Sequence, residues 1–208
     1  MEFGLDYLGC DRWSEHYKLT MELSIGAAKA AYCSGKFDEM QKHLDQVMKQ
    51  DCPMNDKVRA YPTLILSLGA QTRFGEAIDN GLHVLKEMKI ANFSKKATKF
   101  TVLRELRKTQ LLLKKQKKQQ GPLSQLPLLH DEDRITAMGI IGIMTTMAYS
   151  TNTNLFLVLF ARVFRWNIKY GVCKYSPPAF GVYGIVLCGV FGDLKGASQL
   201  GMYCATFG

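Results

Sequence analysis

Apolar side chains recur through most of this chain in steps of three and four, the spacing that gathers residues on one side of an α-helix. Met21, Ile25, Ala28 and Tyr32 form one such stripe and Val58, Tyr61, Ile65 and Leu68 another. No alternating apolar and polar run competes with them, so the pattern predicts an all-α protein. Pro62 stands inside the second stripe, where it removes a hydrogen bond and crowds the preceding turn; a kink or a late helix start is expected there. A helix is predicted over roughly Phe93 to Gln119, broken by Gly121-Pro122 ahead of Leu126-Pro127. His130-Asp131-Glu132-Asp133 opens the next, with acids suited to cap exposed amides at the positive end of the helix dipole. Arg134 to Tyr149 and Asn154 to Tyr170 then pair as helices, Gly171 stops the second, and Pro177-Pro178 starts a last pair, since proline is tolerated in a first turn.

An internal repeat underlies the first part. Gly35-Lys36-Phe37-Asp38-Glu39-Met40 precedes Leu44 and Val47, and Thr72-Arg73-Phe74-Gly75-Glu76-Ala77 precedes Gly81 and Val84, at a constant offset of 37. Near the end, Leu194, Ala197, Gly201 and Cys204 follow Gly192-Asp193 in the same +3, +4, +3 steps and read as a third copy. Each copy is preceded by another helix, so the unit is a helical hairpin. A turn residue, an apolar anchor and a small residue three positions on is similar to the way tetratricopeptide-type repeats close, although their spacing is about 34 residues. Met40 is larger than the alanine usual at that point. The expected architecture is a repeat solenoid resembling that type: two hairpins over residues 1–92, a basic linker helix with its Gly-Pro breaker over 93–125, and apolar hairpins over 126–208. The last stripe runs to Gly208 without a visible cap, which predicts a truncated piece of a longer chain.

Charge modifies this picture in one place. The net charge is +9 over 208 residues, yet residues 95–118 hold ten Lys or Arg against the single acid Glu105, and the rest of the chain balances seventeen against seventeen. Lys114, Lys115, Lys117 and Lys118 follow Leu111-Leu112-Leu113, so an apolar turn abuts a cationic cluster, a candidate patch for acidic lipid, nucleic acid or an acidic protein. A solvated linker helix between hairpins is the simpler account of it and is the one expected. Phe100 alone interleaves the cluster with an aromatic ring, which disfavours single-stranded nucleic acid.

Two stretches lack charge, Ile135 to Ala161 and Ser176 to Gly192. Five polar residues, Ser150 to Asn154, break the first at its middle, and the second is shorter than the roughly 20 residues a span wants. Buried helices are expected, with a membrane-associated protein, resting its basic helix on headgroups and embedding its apolar third, as the alternative. Six dispersed cysteines and an N-terminus without a basic-then-apolar run predict reduced thiols and a cytoplasmic protein.

Candidate chemistry is sparse. Consecutive residues such as His130 to Asp133 cannot all point at one ion, and no His-x3-His spacing supports a metal. Cys188 and Cys204 read as small buried hydrophobes on the last hairpin. Trp13 and Tyr17, four apart, read as packing residues rather than a stacking platform. There is no phosphate loop, no kinase signature and no phospho-acceptor pattern around His16, His43, His83 or His130. No catalytic residue, cofactor or metal is expected.

One wider resemblance covers essentially the whole chain. Trp13, Tyr17, Leu19-Thr20, Glu22, Ala27-Ala28, Tyr32, Asp56-Lys57-Val58 with Tyr61, Ala77-Ile78, Gly81-Leu82 and Val84-Leu85 carry its first part. Leu126-Pro127, Asp131, Ala137-Met138, Ala148-Tyr149, Leu155-Phe156, Lys169-Tyr170-Gly171 and Ala179-Phe180 continue it, and Tyr183 to Asp193 carry it most closely. The run resembles the helical-repeat segment downstream of the AAA-type ATPase module in very large signalling kinases, which combine a serine/threonine kinase-like domain, that ATPase, a GAF sensor and often a histidine kinase. Pro62, Lys95 to Lys118, and Arg165-Trp166 depart from the pattern. The resemblance implies a non-catalytic relay or docking segment, with a protein or the adjacent ATPase and kinase domains as partner, a membrane less so, and nucleic acid disfavoured.

Overall fold

The computed structural model describes residues 4–5, 8–9, 11–119 and 123–207. Cys10, the Gly121-Pro122 breaker and Gly208 lie outside them. The described chain is helical throughout, apart from an isolated parallel bridge between Leu128 and Val172. It divides into two compact units, Met1–Asn92 and Phe93–Gly208.

The first unit runs α1 (Arg12–Glu15), α2 (Tyr17–Cys33), α3 (Phe37–Met48), α4 (Met54–Lys57), α5 (Tyr61–Ala70) and α6 (Phe74–Glu87). Pro62 occupies the first turn of α5, and the short turn α4 carries the chain up to it, so the proline delays the helix rather than kinking it. Helices α2 and α3 pack as one hairpin, α5 and α6 as another, and α5 lies against both members of the first. Between the members the two turns share the same closing bonds. Gly35 N donates to Tyr32 O at 3.0 Å and Lys36 N to Ala31 O at 2.9 Å; Thr72 N donates to Gly69 O at 3.0 Å and Arg73 N to Leu68 O at 2.8 Å. This pair of bonds satisfies the last carbonyls of the first helix while one residue turns left-handed. Gly35 holds that position at φ 71° and Thr72 at φ 59°. An exposed ion pair repeats as well, Lys36 with Glu39 at 3.1 Å and Arg73 with Glu76 at 2.6 Å. Such pairs contribute about 1 kcal/mol at most.

Burial follows the stripes. Met40, Leu44 and Val47 are sealed against Met21, Ala28 and Ala31, and Trp13, Tyr17, Ile25 and Tyr32 pack around that cluster. Trp13 belongs to the separate turn α1, 6.3 Å ring to ring from Tyr17, whose hydroxyl donates to Asp56 at 2.8 Å. In the second hairpin Val58, Tyr61, Ile65 and Leu68 face Ala77, Gly81 and Val84, all buried. The anchors Phe37 and Phe74 sit at the rim, Phe37 edge-on to Tyr32 at 6.4 Å.

The second unit comprises α7 (Lys99–Gln119), a 3-10 turn (Leu123–Gln125), α8 (Glu132–Thr151), α9 (Thr153–Tyr170), α10 (Pro177–Phe191) and α11 (Leu194–Phe207). Helix α9 is its hub and packs on α7, α8 and α10. Asp131 caps α8, its carboxylate accepting from Arg134 N at 3.0 Å. The polar run at 150–154 marks the junction of α8 and α9, with Asn152 alone between the two helices. Asn152 caps α9 by accepting from Leu155 N at 3.0 Å, and Asn152 and Asn154 donate to the carbonyls of Lys95 and Ala97. Phe164 stacks on Tyr183 at 4.3 Å with Phe180 edge-on at 5.4 Å. No helix among the described residues is long and apolar enough to cross a membrane.

Gly171 ends α9 at φ 110°, ψ 175°, a region only glycine occupies comfortably. A Cβ there would lie 2.5 Å from the carbonyl oxygen of Pro127, because Val172 N donates to that oxygen and Leu129 N returns a bond to Val172 O, both at 2.8 Å. Behind this corner the fully buried Ser176 hydroxyl donates to Asn167 Oδ1 at 2.6 Å and accepts from Cys173 N at 2.8 Å.

Three expectations are corrected. The basic helix is not a solvated linker. It is laid along α9 within the second unit, because its own apolar stripe needs cover. The third copy is rotated on its helix: Leu194 and Gly201 are exposed and Ala197 and Cys204 half-buried, while Gly196 and Leu200 face inward. The reason is that the glycines which admit the partner helix lie on the first helix of this hairpin. Gly184 admits the Ala197 carbonyl and Leu200, and Gly181 admits Cys204 Sγ, which resets the face that α11 presents. Cys188 is exposed rather than buried, as are Ile185 and Val190 on the same helix, because α9 and α11 leave that side of α10 uncovered.

Candidate interaction surface

Helix α7 carries two opposed faces, and its sequence sets both. Val102, Leu106, Thr109, Leu113 and Gln116, at steps of four and three, are buried along α9. On the opposite side Phe100, Leu103, Arg107, Leu111, Lys114 and Lys118 follow steps of three and four and are all exposed, Phe100 to 74% and Leu111 to 68%. From Phe100 to Lys118 that outward row is about 27 Å long.

Glu105, the lone acid of the segment, faces α9 and is only 3% exposed. It is met by two arginines one turn apart on that helix. Arg165 pairs with its carboxylate and also donates to the Glu105 carbonyl at 2.9 Å and to Thr109 Oγ1 at 2.8 Å; Arg162 comes within 3.9 Å of the carboxylate. Lys108 and Arg104 approach from α7 itself at 3.6 and 3.8 Å. Burial works against the charge on Glu105, and the hydrogen bond and charge of Arg165, with Arg162 and Lys108, overcome it and hold the carboxyl below the ordinary glutamate range. Burial, followed by repulsion from Arg165, pulls the Arg162 guanidinium below its usual value. That group lies 5.2 Å over the Phe93 ring, with its buried Nε unpartnered.

The cluster therefore holds one negative charge against four positive ones. It pins α7 to α9 and leaves the outward cations uncompensated. Among the described residues no acidic group lies within ion-pair distance of Arg107, Lys114, Lys115 or Lys118. Lys117 of the predicted patch turns elsewhere and reaches Gln199 of α11 at 3.3 Å. It stands at the edge of a cleft of about 290 Å³ lined by Leu113, Leu123, Leu200 and Tyr203. The cleft offers apolar packing and one ammonium, with no nucleophile beside a base. The described residues contain no group of three or more His, Cys, Asp or Glu placed to hold a metal ion.

Sequence reasoning located Lys114, Lys115 and Lys118 on the exposed surface but missed Phe100, Leu103 and Leu111 as part of the same row, and missed the Glu105 cluster entirely. The available signal was the solitary acid itself. The repeat-defining residues Met40, Leu44, Val47, Ala77, Gly81 and Val84 are core rather than surface, and they build the scaffold without forming a site.

Fold and surface together define an all-α protein of two helical units with one strongly cationic helix. No protein-family model, no curated protein and no solved structure matches the chain.

Proposed function

We propose that this chain is a non-catalytic scaffold of tetratricopeptide-like hairpins, working as a relay or docking segment within an ATPase-coupled signalling kinase. What supports the reading most is the twice-used hairpin. Its turn bonds, left-handed residue, ion pair and buried triplet all recur at an offset of 37, and hairpins made this way place side chains of successive units side by side on a common surface. A scaffold of this kind exerts its effect through contact, and the charged chemistry present serves that end. Glu105, Arg162 and Arg165 fasten one helix to another.

Two measurements test the proposal. Reading the coding sequence on either side should reveal an AAA-type ATPase module upstream and a GAF or kinase module downstream; unrelated neighbours overturn the relay. ATP turnover by the purified chain, retained through successive purification steps and abolished by a substitution within it, overturns the non-catalytic assignment.

A further inference from the structure

The outward face of α7 pairs apolar and cationic groups in a manner that packing within the protein does not use. Phe100, Leu103 and Leu111 are exposed although the opposite face of the same helix buries Val102, Leu106 and Leu113 efficiently. Arg107 stands between Leu103 and Leu111 in the row, Lys114 and Lys118 continue it, and Lys115 flanks it. The single acid on the helix is turned inward and neutralised, so no acid among the described residues offsets these outward cations.

Three kinds of partner present negative charge to such a row. A nucleic acid would satisfy the cations through its phosphates but leave Phe100, Leu103 and Leu111 in water, with a single ring available for stacking. A docking helix from another protein needs an unbroken apolar seam, and Arg107 interrupts this one at its centre, where a guanidinium would be desolvated. An anionic lipid surface satisfies both sets. Phenylalanine and leucine side chains enter between headgroups, while lysine and arginine stems beside them extend to the phosphates. The row also runs about 27 Å along one side of a single helix, which suits a flat partner.

We propose that the outward face of α7, made by Phe100, Leu103, Arg107, Leu111, Lys114 and Lys118, docks this protein peripherally on acidic phospholipid. The face lies flat in the headgroup layer with its three apolar side chains inserted, and no helix enters the hydrocarbon as a span. This surface goes beyond the scaffold assignment and adds a location to it, so it stands or falls separately from the identity of the flanking modules.

The test is sedimentation of the whole chain with phosphatidylcholine vesicles, with and without phosphatidylserine. Binding is expected only when phosphatidylserine is present, weakening as salt is raised. Removing one outward cation, as in Lys114→Gln or Lys118→Gln, should weaken it roughly fivefold, and both together about twenty-five-fold. Phe100→Ser combined with Leu111→Ser should weaken it by at least about tenfold. All four side chains are exposed, so helix content and the unfolding midpoint should match the parent, and circular dichroism checks this directly. Ile185→Ser, an exposed apolar change on α10, should leave binding as it was. The proposal fails if phosphatidylserine vesicles do not bind the chain. It fails equally if the Phe100/Leu111 pair has no effect, since a polyanion such as duplex RNA would then serve as well. Abolition of binding by Ile185→Ser instead would assign the contact to the last hairpin and overturn it too.

Discussion

Residues 1–92 carry eleven Lys or Arg and thirteen Asp or Glu, whereas residues 93–208 carry sixteen and five. The near-neutral unit is held by matched apolar stripes closed by two copies of one turn, with ion pairs left at the surface, where they add little. The basic unit drives one of its five acids into a helix interface and surrounds it with cations, and it closes a loop through a glycine that tolerates no side chain. Hairpins that meet through apolar stripes need no charge to orient them. In the second unit, a helix with so many cations on it is kept against α9 by Glu105, which meets Arg162 and Arg165 there. Tolerance to change should differ accordingly, through shape in the first unit and through a few irreplaceable groups in the second.

The sharpest way to break the second unit is Gly171→Ala. The new methyl would meet the Pro127 carbonyl at 2.5 Å in a backbone region that L-residues avoid, and a loss of about 4 kcal/mol is expected in chemical denaturation. Glu105→Gln comes next. It leaves Arg165 and Arg162 facing each other without a counter-charge and should cost about 3 kcal/mol, while Glu105→Leu combined with Arg165→Met should recover much of that loss.

The same carboxylate gives a pH signature. Its value in the folded state is depressed, so its contribution is complete above the ordinary glutamate range and disappears as pH falls through the lower folded value. Subtracting the stability of Glu105→Gln from that of the parent at each pH isolates this term. The difference should be flat near neutrality and shrink only in acid. A difference that grows as pH falls would show that the carboxyl is not held ionised by its arginines.

In the first unit Met40→Ala, opening a hole under α2, should cost about 3 kcal/mol, and Ala77→Met at the equivalent position should cost about 2 kcal/mol by overpacking, because each hairpin has settled on its own volume there. The smallest effects sharpen the likeness of the two turns. Thr72→Gly should stabilise by about 0.5 kcal/mol and Gly35→Thr should destabilise by about 1 kcal/mol, both read from thermal midpoints. Opposite signs at positions 37 apart would show that one backbone geometry is imposed on both.

Much of the fold was legible where the determinants are close in sequence. The two turns, the disturbance at Pro62, the cap at Asp131, the polar break near Asn152, and the stripes of α2, α3, α5 and α6 each depend on residues within about one or two helical turns of one another. The third copy misled because its +3, +4, +3 steps are correct for a helix but silent about direction. Gly181 and Gly184 on the preceding helix decided which side of α11 came inward. Likewise the basic segment could be seen to be helical, while whether it stood alone or lay on another helix could not.

By itself, the sequence determined that this is an all-helical protein, roughly where most of its helices lie, that one hairpin is used twice, and that a single helix carries the excess positive charge. These follow from local backbone preference and from the period of apolar residues, which a chain declares before it folds. Only the tertiary structure decided that Glu105 turns inward to an arginine sixty positions further on, that Gly171 lies under the Pro127 carbonyl, and that Phe100, Leu103 and Leu111 share the outer face with Arg107, Lys114 and Lys118. Each of these depends on which of a helix's faces finds a neighbour, and that choice is made by the volume and charge of side chains that meet only when distant segments pack together.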